Sequence, residues 1–135
     1  MLVIFSFSAD SGSSQRSSRF IGPFVRWLKP DISEVAVEHI VFAVRKTAHT
    51  TEFAILALLL WRARRQPSRS NPRPWRWSDA GFAWMIAAVF AVTDEWHQSF
   101  VPNREARVSD VLIDTTGAAF GLLALRLAGR WRKGW

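Results

Sequence analysis

The stretch Phe53-Ala-Ile-Leu-Ala-Leu-Leu-Leu-Trp61, followed at once by Arg62-Ala-Arg64-Arg65, decides how this chain is read. Nine apolar residues meet a block of arginines without transition, as where a helix leaves hydrocarbon for a charged interface. The apolar block closes a run from Val35 to Trp61 that contains no Gly or Pro. At 1.5 Å per residue, that run exceeds the ~30 Å of a bilayer core. Working outward, Ser78-Asp79 offers an N-cap for a second run, Ala80 to Phe100, which Pro102-Asn103 breaks. Ser109-Asp110 then leads into a third, over Val111 to Leu127. The spacing predicts spanning helices over residues 35–61, 80–100 and 109–128.

Composition agrees with a membrane setting. The 135 residues are 49% hydrophobic and 21% charged, enough for one domain and too apolar for disorder. Eight Trp and ten Phe suit a bilayer interface better than a soluble surface. The lack of Cys excludes a disulfide scaffold, a Cys-ligated zinc site and a thiol nucleophile. The net charge of +7 resembles a nucleic-acid signature until it is divided along the chain. Arg62 to Arg76 and Arg126 to Lys133 together supply +10, while the remainder carries eight basic against eleven acidic side chains. Positive caps beside apolar runs follow the positive-inside pattern, and no basic face for DNA or RNA is expected. The Arg-rich loop over residues 62–77 and the C-terminus are therefore placed in the cytoplasm. Trp75, Trp77, Trp84, Trp131 and Trp135 are expected to form a belt at that interface.

The front of the chain is different. Met1-Leu-Val-Ile-Phe-Ser-Phe7 is far shorter than a span and lacks a basic leader, so it reads as the end of a first spanning helix. Residues 8–34 read as an outward loop with a short interfacial helix around Phe20 to Leu28, its apolar side formed by Phe24, Trp27 and Leu28.

Polar residues concentrate at the outward ends of the three runs. Arg45, His49 and Glu52 form one helical stripe, with Lys46 beside His49. Asp94, His97 and Gln98 share a face, and Glu95 lies to the side near Gln98. Arg107, Asp110, Asp114, Gly117 and Gly121 follow one stripe, so the polar groups face the neighbours that the glycines admit. A charge at membrane depth costs about 2.5 to 3.5 kcal/mol, which argues for a shared polar pocket rather than lipid exposure.

These three blocks also carry a resemblance. Arg45-Lys46-Thr-Ala-His49-Thr-Thr-Glu52-Phe53, then Thr93-Asp94-Glu95-Trp96-His97-Gln98, then Arg104 to Arg107 leading to Ser109-Asp110-Val-Leu-Ile-Asp114-Thr-Thr-Gly117-Ala-Ala-Phe-Gly121, resemble the VanZ-like family of small bacterial membrane proteins. The resemblance covers roughly Ser6 to Gly129. It implies a helical membrane bundle, named for a member linked to reduced sensitivity to a glycopeptide of the teicoplanin type. It implies no settled biochemical activity. Relative to the family, most of the first spanning helix is absent here.

Two functions are open. In one, the pocket binds an envelope ligand or ion and alters glycopeptide susceptibility, with Arg45, Lys46, Gln98, Arg104, Asp110 and Asp114 as ligand-binding candidates. In the other it is a membrane-embedded acid–base enzyme acting on a lipid-linked envelope substrate or peptidoglycan precursor. Glu95 or His97 would be the base, His49 the proton carrier, Lys46 and Arg104 the grip on an anionic group, and Asp94 and Glu52 accompanying carboxylates. Each role has a structural counterpart: the histidines as donors to carboxylates, Arg104 or Arg107 as partner to Glu95, Arg107–Asp110 as a local pair, and Arg45 or Lys46 snorkelling. Glu95-x-His97 and His49-x-x-Glu52 supply metal-type ligands without the two-His spacing of a zinc protease, so no metal or cofactor is assigned.

Overall fold

The computed structural model describes residues 14–66, 75–100 and 107–132. They form four helices and no strand: α1 (Ser14–Leu28), α2 (Glu34–Arg65), α3 (Trp77–Gln98) and α4 (Val108–Trp131). The stub at residues 1–7, most of the Arg-rich loop and the Val101 to Ala106 turn lie outside the described residues.

Helix α1 stops just before Pro30, whose ring disfavours helical geometry in the residue ahead of it. Ser33 then caps α2, its hydroxyl accepting from the Ala36 N–H at 3.3 Å. Arg26 pairs with Glu34 across the turn and ties α1 to the start of α2. Without Gly or Pro to interrupt it, α2 runs for 32 residues. It continues through Arg65, so the first turn of the expected Arg-rich loop is helical. It ends at Gln66, left-handed at φ 44°, whose N–H returns to the Arg62 carbonyl.

The expected cap of the next helix is also displaced. α3 starts at Trp77 with Arg76 in the cap position and no side-chain cap, and Ser78 and Asp79 lie inside its first turn. Asp79 is unavailable for capping because its carboxylate is taken by arginines of α2. α3 closes at Gln98, two residues before the expected Phe100, and α4 is longer than expected at both ends.

Small residues set the packing. A Cβ on Gly117 would sit 2.5 Å from the Thr50 carbonyl oxygen, and one on Gly121 would sit 3.0 Å from the Ala54 Cβ. Both contacts advance by four residues in the same direction, so α2 and α4 run parallel with their backbones in touch. α3 runs antiparallel to them, presenting Ala80, Ala83, Ala87 and Ala91, each at most 4% exposed. The core they build with Ala57, Trp61, Ala118 and Leu122 is mostly alanine. Many large apolar side chains point the other way: Ile55, Leu59, Met85, Val89, Val92, Phe120 and Leu127 are all exposed, while Phe53, Trp61 and Leu122 are buried. This inverts the soluble pattern, in which such residues fill the interior. Threonine hydroxyls at 47, 50, 51, 93, 115 and 116 donate to carbonyls one turn back, which satisfies them without water. Among the described residues, Val108–Trp131 is a helix long and apolar enough by itself to cross a membrane, and 22% of its apolar window is buried.

Two glycines of different surroundings test this packing. Gly117→Ala should destabilise the bundle by about 1–3 kcal/mol, because backbone rather than a flexible side chain blocks the new methyl. Gly81→Ala, with nothing within 4 Å, should be neutral or stabilising by up to about 1 kcal/mol through helix propensity. Reversible unfolding in detergent, followed by circular dichroism, measures both; equal effects would contradict the parallel α2–α4 contact.

Candidate functional site: a carboxylate cluster at one end of the seam

The buried stripe of α3 steps 80, 83, 87, 91, 94, 98, so the alanines give way to Asp94 and Gln98 on the same face. The stripe of α4 runs back from Gly121 and Gly117 to Asp114 and Asp110. On α2, Lys46 stands one turn ahead of Thr50, the residue against Gly117. The polar groups therefore continue the packing seam, and the glycines that bring α2 to α4 also bring their charges together.

At the centre, the Lys46 ammonium pairs with the Asp110 carboxylate, which also accepts from the Ser109 hydroxyl at 3.2 Å. Lys46 further sits 5.4 Å from the centre of the Phe42 ring. The Arg107 backbone N–H donates to the Glu95 carboxylate across the α3–α4 turn. Gln98 Nε2 donates to Asp94 Oδ2 at 2.7 Å, one turn apart on α3. Asp114 is buried within electrostatic reach of Asp94, Glu95, Asp110 and Lys46, and Glu52 is within reach of Asp94. Carboxylates from three helices thus lie within electrostatic reach of one another, with Lys46 paired to Asp110.

The structure sorts the sequence candidates. Lys46, Glu52, Asp94, Glu95, Gln98, Asp110 and Asp114 come together. Glu95, expected to the side, is as buried as Asp94, whereas His97 is only half-buried. His49 and Arg45 are half-buried on α2. Glu95 accepts from the Arg107 main-chain N–H, and Asp110 pairs with Lys46. Arg104 lies outside the described residues. Among the described residues, no three His, Asp or Glu side chains are placed to hold a metal ion.

The opposite end holds a constellation that sequence reasoning missed. Arg64 Nε and Arg65 Nη1 donate to the two oxygens of Asp79 at 2.9 and 3.1 Å. Arg64 also lies over the Phe82 ring at 4.3 Å, Trp61 stacks on Trp75 at 5.4 Å, and Arg126 covers Trp77 at 4.1 Å. Trp61, left out of the expected belt, is buried at its centre. Trp84, placed in that belt from sequence, instead donates to the Thr115 carbonyl of α4 at 3.0 Å. The signal was present: Asp79 is the single acid between Glu52 and Asp94, in a segment with six arginines.

The hydrogen bond from Arg64 holds the Asp79 carboxyl below its ordinary range, aided by Arg65 and opposed by desolvation. A carboxyl lowered on folding contributes stability that is present above its unfolded value and lost as pH falls through the folded one. Asp79→Asn should therefore lower stability at neutral pH and leave a smaller acid-side decline below about pH 4. Thermal melts of the two proteins between pH 3 and pH 7 measure this, and parallel curves would contradict it.

A search of curated proteins and one of solved structures each return no match. A family model, VanZ/LLP1, matches residues 1–129, nearly the whole chain and all three polar blocks. The chain belongs to the VanZ/LLP1 family.

Proposed function

We propose that the chain is a multi-pass protein of the cell membrane whose carboxylate cluster, on the extracytoplasmic side, binds an envelope ligand or ion and so alters glycopeptide susceptibility. The spans are residues 35–61, 80–100 and 109–128, with α1 lying in the interface and the Arg-rich loop and C-terminus in the cytoplasm. Support for insertion comes from the inverted packing, small inside and large outside, which hydrocarbon permits and water penalises. The Arg64–Arg65–Asp79 group lies at the C-terminal end of α2 and the start of α3, whereas the carboxylate cluster lies at the far end of α3 and near the middle of α2, so placing the arginines inside places the carboxylates toward the outside.

One observation carries the binding reading: Glu52, Asp94, Glu95, Asp110 and Asp114 lie within electrostatic reach of one another, with Lys46 paired to Asp110, beside a seam of Ala and Gly. Packing alone requires no charge there. At about 2.5 to 3.5 kcal/mol each in the absence of partners, such groups are a heavy burden on insertion. The excess of carboxylates over cations suits a ligand bearing an ammonium group better than a metal ion, for which no three of the described side chains are suitably placed. The enzymatic alternative draws on the adjacent buried pair Asp94 and Glu95, with Glu95 or His97 as base and His49 as proton carrier. It also asks Lys46 to hold an anionic group, whereas Lys46 is engaged by Asp110.

Cells carrying the protein, its Asp110→Asn variant or its Glu95→Gln variant at matched membrane levels provide the test. Glycopeptide susceptibility should shift with the unmutated protein and return to baseline with either variant, while mass spectrometry of envelope lipids and peptidoglycan precursors finds no new species. A new or lost species dependent on Glu95 would establish the enzyme instead. A susceptibility shift unaffected by both variants would remove the cluster from the function.

A further inference from the structure

We propose that the shallow concavity on the last two turns of α2 is a binding site for an anionic phospholipid. It is an open surface depression of about 400 Å³ on one face of α2, lined by Leu59, Arg62, Ala63 and Gln66. The phosphate would be held by Arg62 and Gln66 and an acyl chain would lie along Leu59 and Ile55. Ile55, Leu59, Arg62 and Gln66 follow one outward stripe of α2. They change from apolar to charged in the direction in which a lipid changes from tail to headgroup. Ile55 and Leu59 are both more than half exposed, and the stripe spans ~16 Å, comparable with an acyl chain in one leaflet.

Charge decides the class of lipid. Between Glu52 and Asp94 the single acid is Asp79, and after Asp114 there is none. Asp79 is taken by Arg64 and Arg65, and Arg126 is laid over Trp77. Arg62 makes no ion pair among the described residues. A phosphodiester without a compensating amine supplies the missing anion, as juxtamembrane arginines attract anionic lipid. A zwitterionic lipid brings its own cation and gains less; free phosphate makes no use of Ile55 and Leu59. The inference rests on membrane insertion, and on no ligand at the carboxylate cluster.

The test uses the full chain in detergent, titrated with short-chain phosphatidylglycerol, short-chain phosphatidylcholine or inorganic phosphate, with bound adducts counted by native mass spectrometry. Phosphatidylglycerol should be retained preferentially, and Arg62→Gln should weaken that retention about fivefold, the effect of one arginine near an anionic surface. Arg62→Lys should keep most of it, and Arg26→Gln, at the far end of the bundle, all of it. Circular dichroism verifies that each variant keeps its helices. Equal retention of the two lipids, displacement by millimolar phosphate, or an unchanged Arg62→Gln protein would each overturn the proposal. None of these outcomes bears on Asp110 or Glu95, so the site can fail while the carboxylate reading stands.

Discussion

The backbone approach of α4 to α2 at Gly117–Thr50 and Gly121–Ala54 is the constraint on which the rest of the bundle depends. Helices carrying ordinary side chains at those positions would stand farther apart, and Lys46 would not reach Asp110. In lipid, no hydrophobic force distinguishes a neighbouring helix from an acyl chain, so close van der Waals contact must supply the attraction. Glycine opposite threonine and alanine, with the alanine stripe of α3 against both, provides it.

The same compactness makes the two ends of the bundle unlike one another. At the Arg-rich end, one carboxylate is shared by two arginines and Arg126 lies over the Trp77 ring. Here charge is partnered by aromatic faces, which suits an interface where one side of a side chain is wet. At the other end the balance is reversed, with five carboxylates within electrostatic reach of one another and hydrogen bonds from Gln98, Ser109 and the Arg107 main chain. Stability alone would be served as well by apolar residues at several of these positions, since ionic groups removed from water seldom outperform good packing. Their presence is therefore not explained by packing, since the seam packs without them elsewhere.

Much of this was legible in residue order, for a definite reason. The Gly117/Gly121 spacing announced a close contact because only small residues at i and i+4 expose helix backbone on one face. Lys46, Asp94, Asp110 and Asp114 were legible as a shared polar group because a charge at membrane depth must face other polar groups. Asp79 was misread as a helix cap because its true partners are 14 and 15 residues away, beyond the reach of any local rule. Glu95 and His97 exchanged places in burial because the exact rotation of α3 is set by how its alanines seat on α2 and α4, which a 100° period alone leaves open.

What residue order determined by itself is the helical class, the close contact at Gly117 and Gly121, and the separation of arginines from carboxylates along the chain. These follow from periodicity and from solvation energies that act on each residue independently. Tertiary structure alone decided that α4 touches α2 backbone to backbone at Gly117–Thr50 and Gly121–Ala54, that Lys46 pairs with Asp110 while the Arg107 main chain donates to Glu95, and that Arg64 and Arg65 share Asp79. Those pairings depend on distances between helices, and such distances exist only once the glycine contact has closed.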